Sequence, residues 1–310
     1  MNITIMELNI KPKNLLRLIP AVLISIQVLS GCILFPSPEK PTSPPSQDQE
    51  SPVLIGSDSG SWEDSELIHE ENYTPIGLYL GDSLAIHENP AEDALIIGNI
   101  PASTLNIKLF GEPIHNQNTS WILAEYNQSR GWVRFDELAI HLGELPVDLV
   151  TLGQRVVIAL QTNNYDQLVD LIHQDKCLRF SPYSYLNDDN LVICPEELGN
   201  LVSSEDNYTW GRYDGTGNPI VLDFPTYHQE FIYDADYLRP EMVGFNIEVS
   251  SGNAINNITD IYPNGIMIEY YFSGFDPQYG GMDWRSLRLV FIQDNQTWLL
   301  VAIIHGEWTI

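Results

Sequence analysis

Four residues near the end of the chain carry the groups that proton transfer or anion binding requires. Asp283 and Arg285 precede one apolar run, and His305 and Glu307 close the next. Asp294-Asn295-Gln296 between the runs predicts a hairpin turn, and antiparallel pairing then brings the two ends together. An imidazole beside carboxylates and a guanidinium can move a proton or hold an anion. The same four side chains also make an ion-paired rim, where scarce arginines meet abundant acids, and that reading is the stronger one. Asp214-Gly215-Thr216-Gly217-Asn218 and Asp234-Ala235-Asp236 offer hard oxygens to calcium, but neither has a twelve-residue loop ending in Glu. Tyr183, Tyr185, Trp210, Tyr213, Tyr227 and Tyr233 either line a sugar-binding cleft or fill a core.

The patterns that most enzymes display at fixed spacing are missing. There is no His-Glu-x-x-His, no Cys-x-x-Cys, no phosphate loop, no Gly-x-Ser-x-Gly elbow and no dinucleotide fingerprint. The expectation is therefore a non-enzyme with no cofactor and no metal. The alternative is a hydrolase or isomerase with a small-molecule pocket in the C-terminal half, using His305 and Asp283. Cys177 and Cys194 either close a disulfide, as an even pair in an exported protein does, or leave Cys177 as a nucleophile with His173 as its base.

The elements that must position these residues fall into segments. Residues 1–17 carry Lys11, Lys13 and Arg17 against Glu7, and 18–29 are mostly Ile, Leu, Val and Ala. A basic stretch, a short apolar stretch and small residues ahead of Cys32 read as a secretory signal, and the apolar run is too short to span a bilayer. Residues 32–74 mix six prolines from Pro36 to Pro52 with Ser, Gln, Asp and Glu, which predicts an extended tether with a reach of order 100 Å. Between 75 and 144, short apolar runs at 77–80, 84–87, 96–100, 105–110, 121–126 and 132–135 alternate with turn signals, including 111–113. That is the pattern of a small barrel or sandwich.

From 145 to 310 the period changes. Val147, Leu149, Val150, Leu152, Val156, Val157 and Leu160 recur at helical steps, and shorter helices are expected at 165–173, 195–201 and 222–233. Strand-like runs at 243–249, 266–272, 287–293 and 299–305 follow. Helices first and an antiparallel sheet last predict an α+β domain.

Charge excludes whole classes of partner. Of 310 residues, 14 are basic and 42 acidic; removing 1–31 leaves 11 against 41, a net charge of −30. Such a body repels nucleic acid and anionic head groups.

Four resemblances sharpen these expectations. Leu29-Ser30-Gly31-Cys32 resembles the lipobox of bacterial lipoproteins, which implies cleavage before Cys32 and a diacylglyceryl group on its sulfur. The protein would then sit on the outside of the cell membrane, held by lipid, since two or more acyl chains anchor stably. Leu84-Ala85-Ile86-His87-Glu88-Asn89-Pro90, then Ile97-Gly98-Asn99-Ile100-Pro101-Ala102, Trp121 and Gly131-Trp132-Val133 resemble the bacterial Src-homology-3-like barrel. That family often binds peptidoglycan or peptide stems, so the resemblance implies ligand contacts at Trp121, Trp132 and His87, against a spacer barrel in which the rings are core. His87-Glu88 replaces the family's Arg-Ser turn, and residues 111–120 lengthen one loop. The C-terminal half resembles the nuclear-transport-factor-2-like superfamily in 159–168 and in the closing hairpin with Trp298, which implies a cone-like sheet round helices. Arg179-Phe180-Ser181-Pro182-Tyr183, Trp210-Gly211-Arg212-Tyr213-Asp214-Gly215, Gly281-Met282-Asp283-Trp284-Arg285-Ser286-Leu287 and His305-Gly306-Glu307-Trp308-Thr309-Ile310 are similar to the C-terminal region of certain bacterial surface lipoproteins. Together these imply a lipid-anchored binding or scaffold protein whose partner is peptidoglycan or an envelope protein.

Overall fold

The computed structural model describes residues 72–116, 118–250 and 255–309. The expected signal peptide, Cys32 and the tether as far as residue 71 lie outside the described residues. What is described is mostly β, in several sheets, with few helices. No helix among the described residues is long and apolar enough to cross a membrane.

The first strands are β1 (Asn72–Pro75), β2 (Ser83–His87), β3 (Ile96–Pro101), β4 (Lys108–Asn116), β5 (Thr119–Tyr126), β6 (Ser129–Arg134) and β7 (Leu138–Leu142). An antiparallel sheet takes the order β3-β2-β6-β5-β4, and it does not close on itself. Asn127 and Gln128, both at positive φ, join β5 to β6 in a two-residue turn whose twist suits the strands. One face buries Leu84, Ile86, Ile100, Leu109, Ile122 and Val133 together.

Three expectations differ here. Residues 77–80 form an irregular turn rather than a strand. Asn72–Thr74, expected in the tether, joins Pro75 in a strand because β7 offers a ladder from Asn72↔His141 to Pro75↔Leu138. Residues 111–113, expected as a turn, lie inside β4. Gly111 takes φ +68° and the register with β5 shifts between Phe110 and Ile114, a bulge that absorbs the Gly and Pro without ending the strand.

The second half contributes β8 (Leu178–Ser181), β9 (Val192–Ile193), β10 (Tyr208–Arg212), β11 (Pro219–Leu222), β12 (Met242–Phe245), β13 (Ile266–Phe272), β14 (Arg285–Asp294) and β15 (Thr297–Glu307). The larger sheet has eight strands in the order β1-β7-β12-β13-β14-β15-β8-β9. It is parallel at β7–β12 and β15–β8 and antiparallel elsewhere, so strands from both ends of the first segment are built into it. Asn295 and Gln296, at positive φ, close the β14–β15 hairpin where the turn was expected.

Helices α1 (Val147–Gln161), α2 (Pro195–Ser203) and α3 (Phe224–Phe231) cover one face, and α4 (Ile258–Ile261) is a single turn. The apolar stripe of α1, from Leu149 to Leu160, is buried against the sheet. Gly153 sits where a Cβ would meet Ile268 Cδ1 at 2.6 Å, so the helix reaches β13 closely only because that position has no side chain. Residues 165–173 form two short 3₁₀ turns instead of a helix. The β10–β11 hairpin was not expected from sequence, and its Trp210 stacks on Tyr227 of α3 with ring centroids 3.7 Å apart.

Central strands β14 and β15 are buried almost end to end, as in a sheet covered on both faces. Leu287, Leu289 and Phe291 face the helices, while Val290, Val301 and Ile304 belong to a second cluster with Leu186, Ile258 and Tyr262. Between them on that second face, Arg288 Nε lies 3.0 Å from Glu269 Oε1, both fully buried, and its Nη2 reaches Glu248 at 2.7 Å.

Candidate functional site

The hairpin register sets Arg285 opposite Glu307 and Leu287 opposite His305. With side chains alternating along a strand, Arg285, His305 and Glu307 share the helix-covered face at its rim. Arg285 Nη1 lies 3.4 Å from Glu307 Oε2. What gathers them is Asp234, just after α3. Its Oδ2 lies 2.8 Å from Arg285 Nε and 3.1 Å from His305 Nε2, and its Oδ1 accepts from the Tyr237 hydroxyl at 2.6 Å. Burial would raise the Asp234 carboxyl, but the bonds from His305 and Tyr237 and the charge of Arg285 outweigh it and hold the group below the ordinary carboxylate value. Burial, and then the Asp234 charge, raise the Tyr237 phenol.

Asp283 does not join this cluster. Its carboxylate turns into the preceding loop, where Oδ2 accepts from the amides of Phe275 at 2.9 Å and Asp276 at 2.7 Å. His305 is fully buried, with Nε2 on Asp234 and Nδ1 3.2 Å from the Pro182 carbonyl. Both ring nitrogens therefore face oxygens of the protein itself. A general base needs one nitrogen directed at the substrate proton, and His305 has none to spare in this arrangement.

Above the cluster lies an open trough of two lobes, each of about 500 Å³. Tyr183 and Tyr213 line both lobes. Glu230, Phe231, Asp234, Phe275, Arg285 and Glu307 complete one, and Tyr185, Asn187, Arg212 and Asp214 are on the other. Phe231 packs against the two shared rings, edge-on to Tyr183 at 6.0 Å and tilted to Tyr213 at 6.4 Å. Of the six rings singled out in the sequence, Tyr183, Tyr185 and Tyr213 border this trough, while Trp210 and Tyr227 are core and Tyr233 stacks on His228. The interior between sheet and helices is filled by side chains. A small pocket of about 40 Å³ beside Val157, Tyr237 and Tyr270 has room for water alone.

Cys177 and Cys194 are joined in a disulfide, so Cys177 presents no thiol and the nucleophile alternative lapses. His173 instead accepts the amides of Asp175 and Lys176 at Nδ1, closing the turn before Cys177. In the five-stranded sheet, Trp121 and His87 are buried edge-to-face with centroids 5.1 Å apart, and Trp132, paired across from His87, is half-buried. The Asp214–Asn218 stretch is the turn of the β10–β11 hairpin, and Asp236 accepts from Tyr233 and Gln161. Among the described residues no three His, Cys, Asp or Glu side chains converge to hold a metal ion.

Asp234 was legible in the sequence only as half of an acidic pair. No strand register relates it to the hairpin, because the docking of α3 over the rim is a tertiary event. No protein-family model matches the chain, and no curated protein matches it in sequence.

Proposed function

We propose that the protein is a lipid-anchored, extracytoplasmic binding protein of the cell envelope. The observation that carries the binding half is the open trough: ring faces and paired charges line it, while the candidate acid–base group His305 is tied to Asp234 and Pro182. Ligand sites commonly combine an apolar wall with a few placed polar groups. The Cys177–Cys194 disulfide suits an oxidising compartment.

The anchoring half rests on Leu29-Ser30-Gly31-Cys32, with a basic and apolar segment before it and a proline-rich tether after it. Lipid on Cys32 would hold a body of net charge −30 at a surface that electrostatics alone would repel. In this reading the five-stranded sheet is a Src-homology-3-like module, the C-terminal half is an α+β binding domain, and peptidoglycan or an envelope protein is the partner. Intact-mass spectrometry of native material tests the anchor: a mature chain beginning at an acylated Cys32 is expected, and a free thiol there overturns it. Retention of that material on purified cell wall tests the partner, and failure to be retained at low salt removes it.

A further inference from the structure

The trough that supports the binding reading also constrains what it can hold. Its two lobes meet at Tyr183 and Tyr213, so a ligand that fills both must be elongated, with each part passing a ring. Phe231 packs against both rings, which lowers the entropy cost of ordering them on binding. Tyr185, 47% exposed, extends the aromatic wall outward. Burial pushes the Tyr183 phenol up to about 12, so its hydroxyl stays neutral and can both donate and accept.

The charged groups lining the trough are two arginines, Arg212 and Arg285, and four carboxylates, Asp214, Glu230, Asp234 and Glu307. Arg285 lies between Asp234 and Glu307, and Arg212 is 2.9 Å from Asp189 beside Asp214. Both lobes thus offer donors and acceptors. An anionic ligand meets the field of a body carrying −30. A cationic peptide must compete with Arg285 for Asp234 and Glu307, which leaves it Glu230 and Asp214. A polyol meets neither obstacle: each hydroxyl donates and accepts, and the C–H face of a sugar ring is apolar enough to lie on a phenol.

We propose that this trough binds an uncharged oligosaccharide, its ring faces on Tyr183 and Tyr213 and its hydroxyls held by Arg212, Arg285, Glu230 and Glu307. The inference deepens the binding reading above and rests on it for the trough's role, but not for the anchor or for the cell wall as partner.

The test is calorimetric titration of the mature, full-length chain with β-1,4-linked tetramers of glucose and of N-acetylglucosamine, and with a lysine-rich peptide. Saturable binding of a tetramer is expected, weakened roughly tenfold in Tyr213→Ala. Trp308→Ala, an exposed ring that does not line the trough, should bind as the wild type does. Should Tyr213→Ala melt early, the exposed Tyr185→Ala takes its place and should still weaken binding. No heat with either tetramer, undiminished binding in both tyrosine variants, or heat from the peptide alone overturns the proposal. Cell-wall retention separates the two readings. Tetramer binding without retention removes the envelope partner and leaves the trough, while retention that is indifferent to Tyr213→Ala and Tyr185→Ala removes the trough and leaves the partner.

Discussion

Asp234→Asn isolates the charge that holds the rim of the C-terminal domain together. An amide is isosteric with the carboxylate, so its oxygen can keep the place of Oδ2 before Arg285 and His305, with its nitrogen toward the Tyr237 hydroxyl. The geometry survives and the negative charge is lost. Hydrogen bonds to charged groups are worth about 1.5–3 kcal/mol, and Arg285 is 29% exposed and also held by Glu307, so the lower part of that range applies. A cost of about 2 kcal/mol lowers the melting temperature of a body this size by roughly 4–8 °C. Asp234→Ala, which removes every acceptor and leaves the buried His305 ring facing a gap, should cost about twice as much.

The pH dependence provides the sharper check. The folded Asp234 carboxyl sits below its ordinary value, so its contribution is complete above the unfolded value and is lost as pH falls through the folded one. The gap in melting temperature between wild type and Asp234→Asn should therefore be present at about pH 5 and close as the solution is taken into strong acid. Thermal unfolding followed by circular dichroism reads this directly. A variant that melts with the wild type at pH 5, or a gap that does not narrow at all as the solution is acidified, would show that the carboxylate does not organise the rim.

Two further perturbations probe the scaffold. Glu269 holds Arg288 and accepts from the amides of Val249 and Ser250, while Arg288 also reaches Glu248 and Ser250, so removing either partner leaves the other buried and only partly bound. Glu269→Leu and Arg288→Leu should therefore each cost about 3–5 kcal/mol, and a urea melt placing either variant within about 1 kcal/mol of the wild type would refute the pair's structural role. Reduction of Cys177–Cys194, a bridge across 17 residues, should remove about 3 kcal/mol, and an unchanged melting temperature in excess reductant would show that the bridge constrains nothing.

Local chemistry determined much of this protein by itself. The helical period of 147–160, the turn at 294–296 and the strand runs at 266–272 and 287–293 each carry their own signal, because period and turn residues act over a few neighbours. The hairpin register alone brings Arg285, His305 and Glu307 to one rim. Tertiary structure decided the rest. Asp234 enters the cluster only when α3 docks, Asp283 leaves it because loop amides at 275–276 bind its carboxylate, and β1 exists because β7 offers it a ladder. The contacts of Asp234 and of β1 join residues tens of positions apart, so their energy appears only when packing has already brought the partners together, and no pattern in a single stretch of chain records it.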